Sequence, residues 1–121
     1  MKKILIVDDE ADVLAALEKR LTNAGYAVVK ADNGKDAIIL AKREKPNLIL
    51  LDVMMPEMDG AKTAQLLRED AATQDIPVMF LTCLLTPAEQ KHGMKEVAGN
   101  FFIAKPYESQ ELLGEIKKHI L

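Results

Sequence analysis

The fold of this chain is decided by one apolar run that ends in an acid, Asn47-Leu48-Ile49-Leu50-Leu51-Asp52. A second run, Lys3-Ile4-Leu5-Ile6-Val7, is followed in the same way by Asp8 and Asp9. Continuous Val, Ile and Leu segments of this length are typical of strands in a parallel sheet that is buried on both faces. We therefore expect the three carboxylates to emerge together at the carboxyl-terminal edge of that sheet, where open α/β folds bind their ligands.

Helix-like and strand-like segments alternate along the rest of the chain. Further strands are predicted over Tyr26 to Ala31, Pro77 to Thr82 and Phe101 to Ala104, and apolar residues at helical spacing lie between them. Gly25 and Pro46 are expected to end the first two helices. The pattern is (βα) repeated five times, which predicts an α/β fold with one parallel, doubly wound, five-stranded sheet.

Two helices of this pattern carry specific expectations. The segment Thr86-Pro87-Ala88-Glu89 has the form of a capping box with proline in the first turn, so the fourth helix is predicted to begin there and to end before Gly99. In the third helix, Ala64, Leu67 and Ala71 are expected to face the core.

The pattern does not determine the strand order. In the order 2-1-3-4-5, the switch point of the sheet would lie between the first and third strands, which carry the acids.

Length and composition limit the classes of function. At 121 residues, with 49% hydrophobic and 29% charged residues, residues 1–121 suit a single globular domain. No segment is apolar for long enough to insert in a membrane, and the start lacks a secretory signal, so a cytoplasmic protein is expected. The net charge of -3 and the absence of Trp argue against nucleic acid as a direct partner.

The acid cluster indicates a particular chemistry. Three carboxylates that are drawn together repel one another, and a divalent cation would relieve that repulsion. Magnesium prefers oxygen ligands and commonly binds one or two carboxylates together with phosphate oxygens. In such a site an Asp carboxylate accepts a phosphoryl group while a Lys ammonium balances the charge of its oxygens. Lys105 follows the fifth strand and Thr82 ends the fourth, so both are expected at the same edge.

Each of these residues also has a simpler structural interpretation. Asp8 and Asp9 would serve as caps of the first helix. Asp52 would be a solvated loop residue, Thr82 a strand-end residue without a role, and Lys105 one of many surface lysines. Five polar residues at the carboxyl ends of four apolar strands favour the functional interpretation, because functional groups gather at that edge of open α/β sheets.

Four motifs occur in a fixed order along the chain: Ile6-Val7-Asp8-Asp9-Glu10, Leu51-Asp52-Val53-Met54-Met55-Pro56 with Met58-Asp59-Gly60, Leu81-Thr82, and Ala104-Lys105-Pro106. This ordered set resembles the receiver domain of bacterial two-component response regulators, the class that includes the chemotaxis response regulator. The resemblance covers essentially the whole chain. It implies a flavodoxin-like sheet with the strand order 2-1-3-4-5.

The resemblance also implies roles for the residues at the sheet edge. Asp52 would be the phosphoacceptor in a reaction that depends on Mg²⁺. Asp9 and Asp52 would be magnesium ligands, Asp8 would act through water or as a neighbouring acid, and the backbone carbonyl of Met54 would complete the protein's share of the metal ligands. Lys105 would contact the phosphoryl oxygens.

A switch and a set of partners follow from the same resemblance. The Lys105-Pro106 peptide would be cis, Thr82 would turn toward the phosphoryl group, and the ring of Phe102 would move inward. Phosphoryl groups would come from a sensor histidine kinase or a histidine phosphotransfer protein. A downstream protein would bind the fourth helix, fifth strand and fifth helix, over roughly Pro87 to Leu121. The chain would be a monomer or a dimer that depends on phosphorylation.

Several positions differ from the commonest pattern of that family. Cys83 stands where a smaller Ala or Gly is usual, and Phe102 lacks the hydroxyl of the Tyr that is frequent there. Met54 and Leu84 place apolar groups where polar ones would orient an attacking water. We therefore predict an aspartyl phosphate that hydrolyses slowly.

Three alternatives stay open on the sequence. The first is a pseudo-receiver that binds partners without phosphorylation, although Asp9, Asp52, Thr82 and Lys105 are all present. The second is a phosphohydrolase of the haloacid-dehalogenase type, which usually has a second Asp where this chain has Met54. The third is a receiver cut from a longer regulator with an output domain.

Overall fold

Five parallel strands and one antiparallel edge strand form a single sheet in the computed structural model, which describes residues 2–52, 60–82, 94–97, 100–104 and 109–120. The strands are β1 (Lys3–Val7), β2 (Ala27–Ala31), β3 (Leu48–Asp52), β4 (Val78–Thr82), β5 (Met94–Val97) and β6 (Asn100–Ala104). They lie in the order β2-β1-β3-β4-β6-β5. The predicted fold class and the order of the five parallel strands are therefore confirmed, with β5 as an additional strand.

The helices that lie within the described residues are α1 (Ala11–Asn23), α2 (Gly34–Glu44), α3 (Gly60–Glu69) and α4 (Ser109–His119). None of these helices has the length and apolarity needed to cross a bilayer. The predicted ends of α1 and α2 are confirmed. Gly25 follows α1 with a φ of 96°, which glycine adopts without steric cost, and its N–H donates to the Thr22 carbonyl at 3.0 Å. At the end of α2, Lys45 precedes the buried Pro46.

Strand β5 corrects the prediction for the fourth helix. Residues 83–93, which include the capping box, lie outside the described residues, but Met94–Val97 pairs with β6 as an antiparallel strand. The helix prediction is therefore wrong for these four residues. Only two residues, Ala98 and Gly99, separate Val97 from its partner Asn100 in the sequence. A capping box indicates where a helix begins and carries no information about a strand-pairing partner further along the chain.

Side chains of the parallel strands alternate between two cores, one on each face of the sheet. Ile4, Ile6 and Leu50 belong to a core that also contains the buried residues of α1 and α4. Leu5 and Leu51 belong to the core that contains the buried residues of α2 and α3. Because helices cover both faces, β1 and β3 are almost continuously apolar and can present polar groups only at their ends.

The end of α3 shows a local difference from the predicted core. Ala64 and Leu67 face the core as predicted, with 3% and 1% of their surface exposed. Ala71 is exposed, and that part of the prediction is wrong, because α3 ends at Glu69 and the chain turns there. Thr73 takes the buried position instead and donates its hydroxyl to the Leu67 carbonyl, which satisfies a polar group inside the core.

Candidate functional site

Two neighbouring strands bring acids to the same level of the sheet. Val7 of β1 pairs with Leu51 of β3, so the next residues along the two chains, Asp8 and Asp52, follow side by side. Only 1% of the surface of Asp8 and 6% of that of Asp52 is exposed. Burying a carboxylate is costly unless hydrogen bonds or charges compensate it. The strand register therefore places both acids at the carboxyl-terminal edge of the sheet, where the sequence predicted them.

Asp8 is fixed in place by hydrogen bonds on both sides. Its backbone N–H donates to the Ala31 carbonyl at 3.2 Å, which extends the pairing of β1 with β2 by one residue. Its carboxylate accepts a hydrogen bond from the Glu10 N–H at 2.9 Å. A carboxylate that bonds the backbone two residues ahead forms an Asx turn, which directs the chain from the strand into α1.

The expectation that Asp8 and Asp9 cap the first helix is not what the structure shows. The N-cap of α1 is Glu10, which has an extended backbone and makes no side-chain cap hydrogen bond. The carboxylate of Asp8 accepts a hydrogen bond from the N–H of this N-cap residue. The acids therefore shape the turn before α1 and lie at the positive end of its dipole.

Three consecutive acids form a compact group of oxygen atoms. One carboxylate oxygen from each of Asp8, Asp9 and Glu10 lies within 4.8 Å of the other two. Asp9 and Glu10 are exposed, whereas Asp8 is buried. Carboxylate oxygens are hard ligands of the kind that Mg²⁺ prefers, and two exposed acids leave room for the waters that this ion keeps. The donor set therefore fits a magnesium ion.

Glu10 was not predicted as a site residue, although it ends the first sequence motif. Its position beside two acids at a strand end was the available signal. Among the residues that the structure describes, Asp52 is not part of the 4.8 Å group, which is formed by the turn after β1. Asp52 instead flanks that group from the end of β3, where it pairs with Leu81 of β4.

The strand register places Thr82 and the last residue of β6 at the same edge. Thr82 ends β4 and pairs with Ala104, the last residue of β6, which Lys105 follows in the chain. The backbone of Thr82 and of Phe102 is described, but their side chains are not. Lys105, Pro106 and Met54 lie outside the described residues. The predicted switch, cis peptide and carbonyl ligand therefore remain predictions.

Sequence comparison identifies relatives over nearly the whole chain. Residues 4–117 match the family described as response regulator receiver domain. A probable transcriptional regulator, ycf27 of Porphyra purpurea, is 40% identical over 116 residues, which are 96% of this chain and 46% of that protein. This chain therefore spans about half the length of that curated relative.

Solved structures give the same assignment. The chemotaxis protein CheY4 of Vibrio cholerae superimposes with a TM-score of 0.84 at 29% identity, over 100% of this chain and 99% of that one. The receiver domain of the sensor histidine kinase PA1611 from Pseudomonas aeruginosa, solved with a magnesium ion in its active site cleft, gives a TM-score of 0.83 at 25% identity, over 98% and 97% of the two chains. The chain belongs to the response regulator receiver domain family, whose function is phosphorelay signal transduction.

Proposed function

We propose that Asp52 accepts a phosphoryl group from a sensor histidine kinase or a histidine phosphotransfer protein, in the cytoplasm and with Mg²⁺ as the cofactor. The observation that carries the proposal is the strand register, which sets a nearly buried Asp52 beside Asp8 at the carboxyl edge of the sheet. Asp52 is therefore held on a rigid strand, while the exposed acids next to it provide oxygen ligands.

The reaction needs only one nucleophile from this chain. A carboxylate oxygen of Asp52 attacks the phosphorus atom, an O–P bond forms, and the P–N bond to the donor imidazole breaks with its electron pair leaving on nitrogen. With a small donor such as acetyl phosphate, an O–P bond breaks instead and acetate leaves. In this proposal the chain catalyses only its own phosphorylation and dephosphorylation.

Oxygen ligands for the cofactor come from two strand ends. Asp9 and Asp52 are proposed as direct ligands, Asp8 as a ligand through water, and the Met54 carbonyl as the last protein ligand. The position of Glu10 in the same compact group adds it as a further candidate. A magnesium ion held by these residues would supply positive charge to balance the charge on the phosphoryl oxygens.

Lys105, Thr82 and Phe102 would respond to the phosphoryl group on Asp52. Lys105 would hold a phosphoryl oxygen and Thr82 would turn toward it, since Thr82 ends β4 and Lys105 follows Ala104, its paired residue on β6. A doubly charged group with strong acceptor oxygens can bias such an element between two arrangements. We propose that Phe102 moves with Thr82 and that a downstream protein binds the surface over Pro87 to Leu121.

Intact-mass spectrometry tests the proposed function. The wild-type chain, Asp52→Asn and a control, Asp75→Asn, are incubated with MgCl₂ and acetyl phosphate, with and without a chelator. Asp75 is a matched control because it is an exposed acid outside the sheet edge. We expect one phosphoryl group on the wild type and on Asp75→Asn, and none on Asp52→Asn or after chelation. Phosphorylation of Asp52→Asn would contradict the proposal, and no phosphorylation of any folded chain would favour a pseudo-receiver.

A second prediction concerns the lifetime of the product. Because Met54 and Leu84 carry no polar group to orient water, the purified phosphoprotein should lose its label slowly. The same mass measurement over time, on the wild type and on Met54→Asn, provides the check. We expect a shorter half-life for the variant, and equal half-lives would remove Met54 from the explanation.

A further inference from the structure

A groove lies beside β2, the strand at the open edge of the sheet. Its volume is about 530 Å³, and it is bounded by residues of α1 and α2. The wall from α1 includes Ala11 and Ala15, whose short side chains leave space above the edge of β2. Edge strands are places where further chain segments can pair or pack, so proteins usually cover or charge them. Lys30, Ala31 and Asp32, at the end of β2, also line the groove.

The wall from α2 has an ordered charge pattern. Asp36, Ile39, Leu40 and Arg43 all line the groove, and their spacing of i, i+3, i+4 and i+7 puts them on one stripe of the helix. The stripe begins with an acid, continues with two apolar residues and ends with a base. Ile39 is 58% exposed and is the exposed large hydrophobic residue of the described chain.

We propose that a second copy of this chain docks in the groove, with the two α2 helices antiparallel about a two-fold axis near Ile39. In a symmetric dimer the same patch must be complementary to itself. The stripe meets this condition, because reversing its direction sets Asp36 of one copy opposite Arg43 of the other. The groove also carries both a protruding apolar side chain, Ile39, and the space beside Ala11 and Ala15 that can receive one.

The contacts that Asp36 and Arg43 already make leave both residues able to pair across the proposed dimer interface. Arg43 is 67% exposed and its Nε lies 3.2 Å from the carboxylate of Glu44, its neighbour in sequence. Surface pairs of this kind contribute little, so exchanging part of the contact for a partner costs little. Asp36 accepts a hydrogen bond from the Asn33 side chain at 3.0 Å and stays exposed at the start of α2.

Sedimentation velocity over a concentration series of the full chain tests the contact. The wild-type average mass should rise from that of the monomer toward twice that value. Ile39→Lys should lower the association constant at least about tenfold, since it places a charge at the centre of the interface in both copies. Ala16→Lys, exposed on α1 but outside the groove, is the control and should behave as the wild type.

Charge reversal tests the antiparallel arrangement. Asp36→Lys and Arg43→Glu should each weaken association, and the double variant should restore it, because the opposed charges are then exchanged as a pair. Circular dichroism confirms that each variant is folded. The wild-type chain should associate without any phosphodonor, which separates this contact from a dimer that needs phosphorylation. A wild-type chain that stays monomeric at about 1 mM, or a double variant no stronger than the singles, would overturn the proposal.

Discussion

The two edges of the parallel sheet carry charged residues arranged in opposite ways. At the amino-terminal edge, the Lys3 Nζ donates to the Glu44 carboxylate at 3.1 Å and to the Glu44 carbonyl at 3.3 Å. The backbone of the same residue forms a reciprocal pair with Asn47: the Lys3 N–H donates to the Asn47 Oδ1 at 2.8 Å, and the Asn47 N–H donates to the Lys3 carbonyl at 2.7 Å. This edge is locked by neighbouring groups of opposite charge and matched hydrogen bonding.

At the carboxyl-terminal edge, by contrast, like charges lie together. Asp8, Asp9 and Glu10 bring three carboxylates within 4.8 Å, and Asp52 follows on the next strand. Such an arrangement stabilises a fold poorly, but it suits the binding of a cation and of a phosphoryl group. The same β1 strand is therefore flanked by matched hydrogen bonds and an ion pair at its start and by a group of like charges at its end.

The largest expected effect is on magnesium binding at the carboxyl-terminal edge of the sheet. Asp9→Asn removes one charge from the compact group, so the affinity for Mg²⁺ should fall on the order of 10–100-fold, while the free energy of unfolding stays equal or rises because repulsion is relieved. Isothermal titration with MgCl₂ measures the affinity, and thermal unfolding without the ion measures stability. Glu44→Gln at the amino edge is the control and should leave magnesium binding unchanged. An Asp9→Asn chain with normal affinity would remove Asp9 from the site.

A smaller, purely structural effect is expected at the amino edge. Asn47→Ala removes the acceptor of the Lys3 N–H, and this should lower the free energy of unfolding by about 1 kcal/mol. Phosphorylation by acetyl phosphate should be unaffected, because Asn47 lies at the opposite end of β3. Urea unfolding followed by circular dichroism gives the value. Asn23→Ala, an exposed change at the end of α1, should stay within about 0.5 kcal/mol of the wild type. Loss of phosphorylation in Asn47→Ala would contradict the assignment of a purely structural role to the amino-terminal edge.

The smallest effect concerns pH. The hydrogen bond from Lys3, together with that from Arg43, lowers the pKa of Glu44 below its ordinary value of 4.5. The hydrogen bond from Lys42, whose Nζ lies 2.7 Å from the carboxylate, likewise lowers the pKa of Asp70 below 3.8. A carboxylate with a lowered pKa stabilises the fold above its unfolded pKa, and this contribution is lost as pH falls through the folded pKa.

Stability should therefore decline as pH falls below about 4.5, the ordinary Glu value. The decline should be shallower in the double variant Glu44→Gln, Asp70→Asn, which has no charge to lose at these two positions. Thermal unfolding from pH 7 to pH 3 makes the comparison. Identical pH profiles for the two chains would show that these surface pairs contribute nothing measurable, which is the common result for exposed ion pairs.

Sequence reasoning succeeded where the signal was local. The runs that became β1 and β3 are continuous and apolar, so their strand character, their burial and the position of the acids after them followed directly. The glycine after α1 was also readable, because a positive φ at that point favours one residue type. The predicted position of the acids at the carboxyl-terminal edge depended only on such local patterns and on the rule that parallel strands end at the same edge of a sheet.

The parts that sequence reasoning missed depend on contacts between distant segments. The Lys3 to Glu44 pair joins residues 41 apart, and its formation requires the end of α2 to return to the start of β1. The strand Met94–Val97 depends on pairing with β6, which overrides the local helix pattern. Thr73 is buried because the chain turns after α3, and an apolar pattern does not indicate a buried hydroxyl. The movements of the Thr82 and Phe102 side chains on phosphorylation remain predictions for direct tests.

The most direct test of the whole account is to locate the phosphoryl group on the chain. An aspartyl phosphate is an acyl phosphate, so borohydride reduces it to homoserine at the modified position, and peptide mass spectrometry then reads that position. After treatment with acetyl phosphate and MgCl₂, we expect homoserine at position 52 and unmodified acids at positions 8 and 9. Homoserine at position 8 or 9, or at an acid elsewhere in the chain, would contradict it.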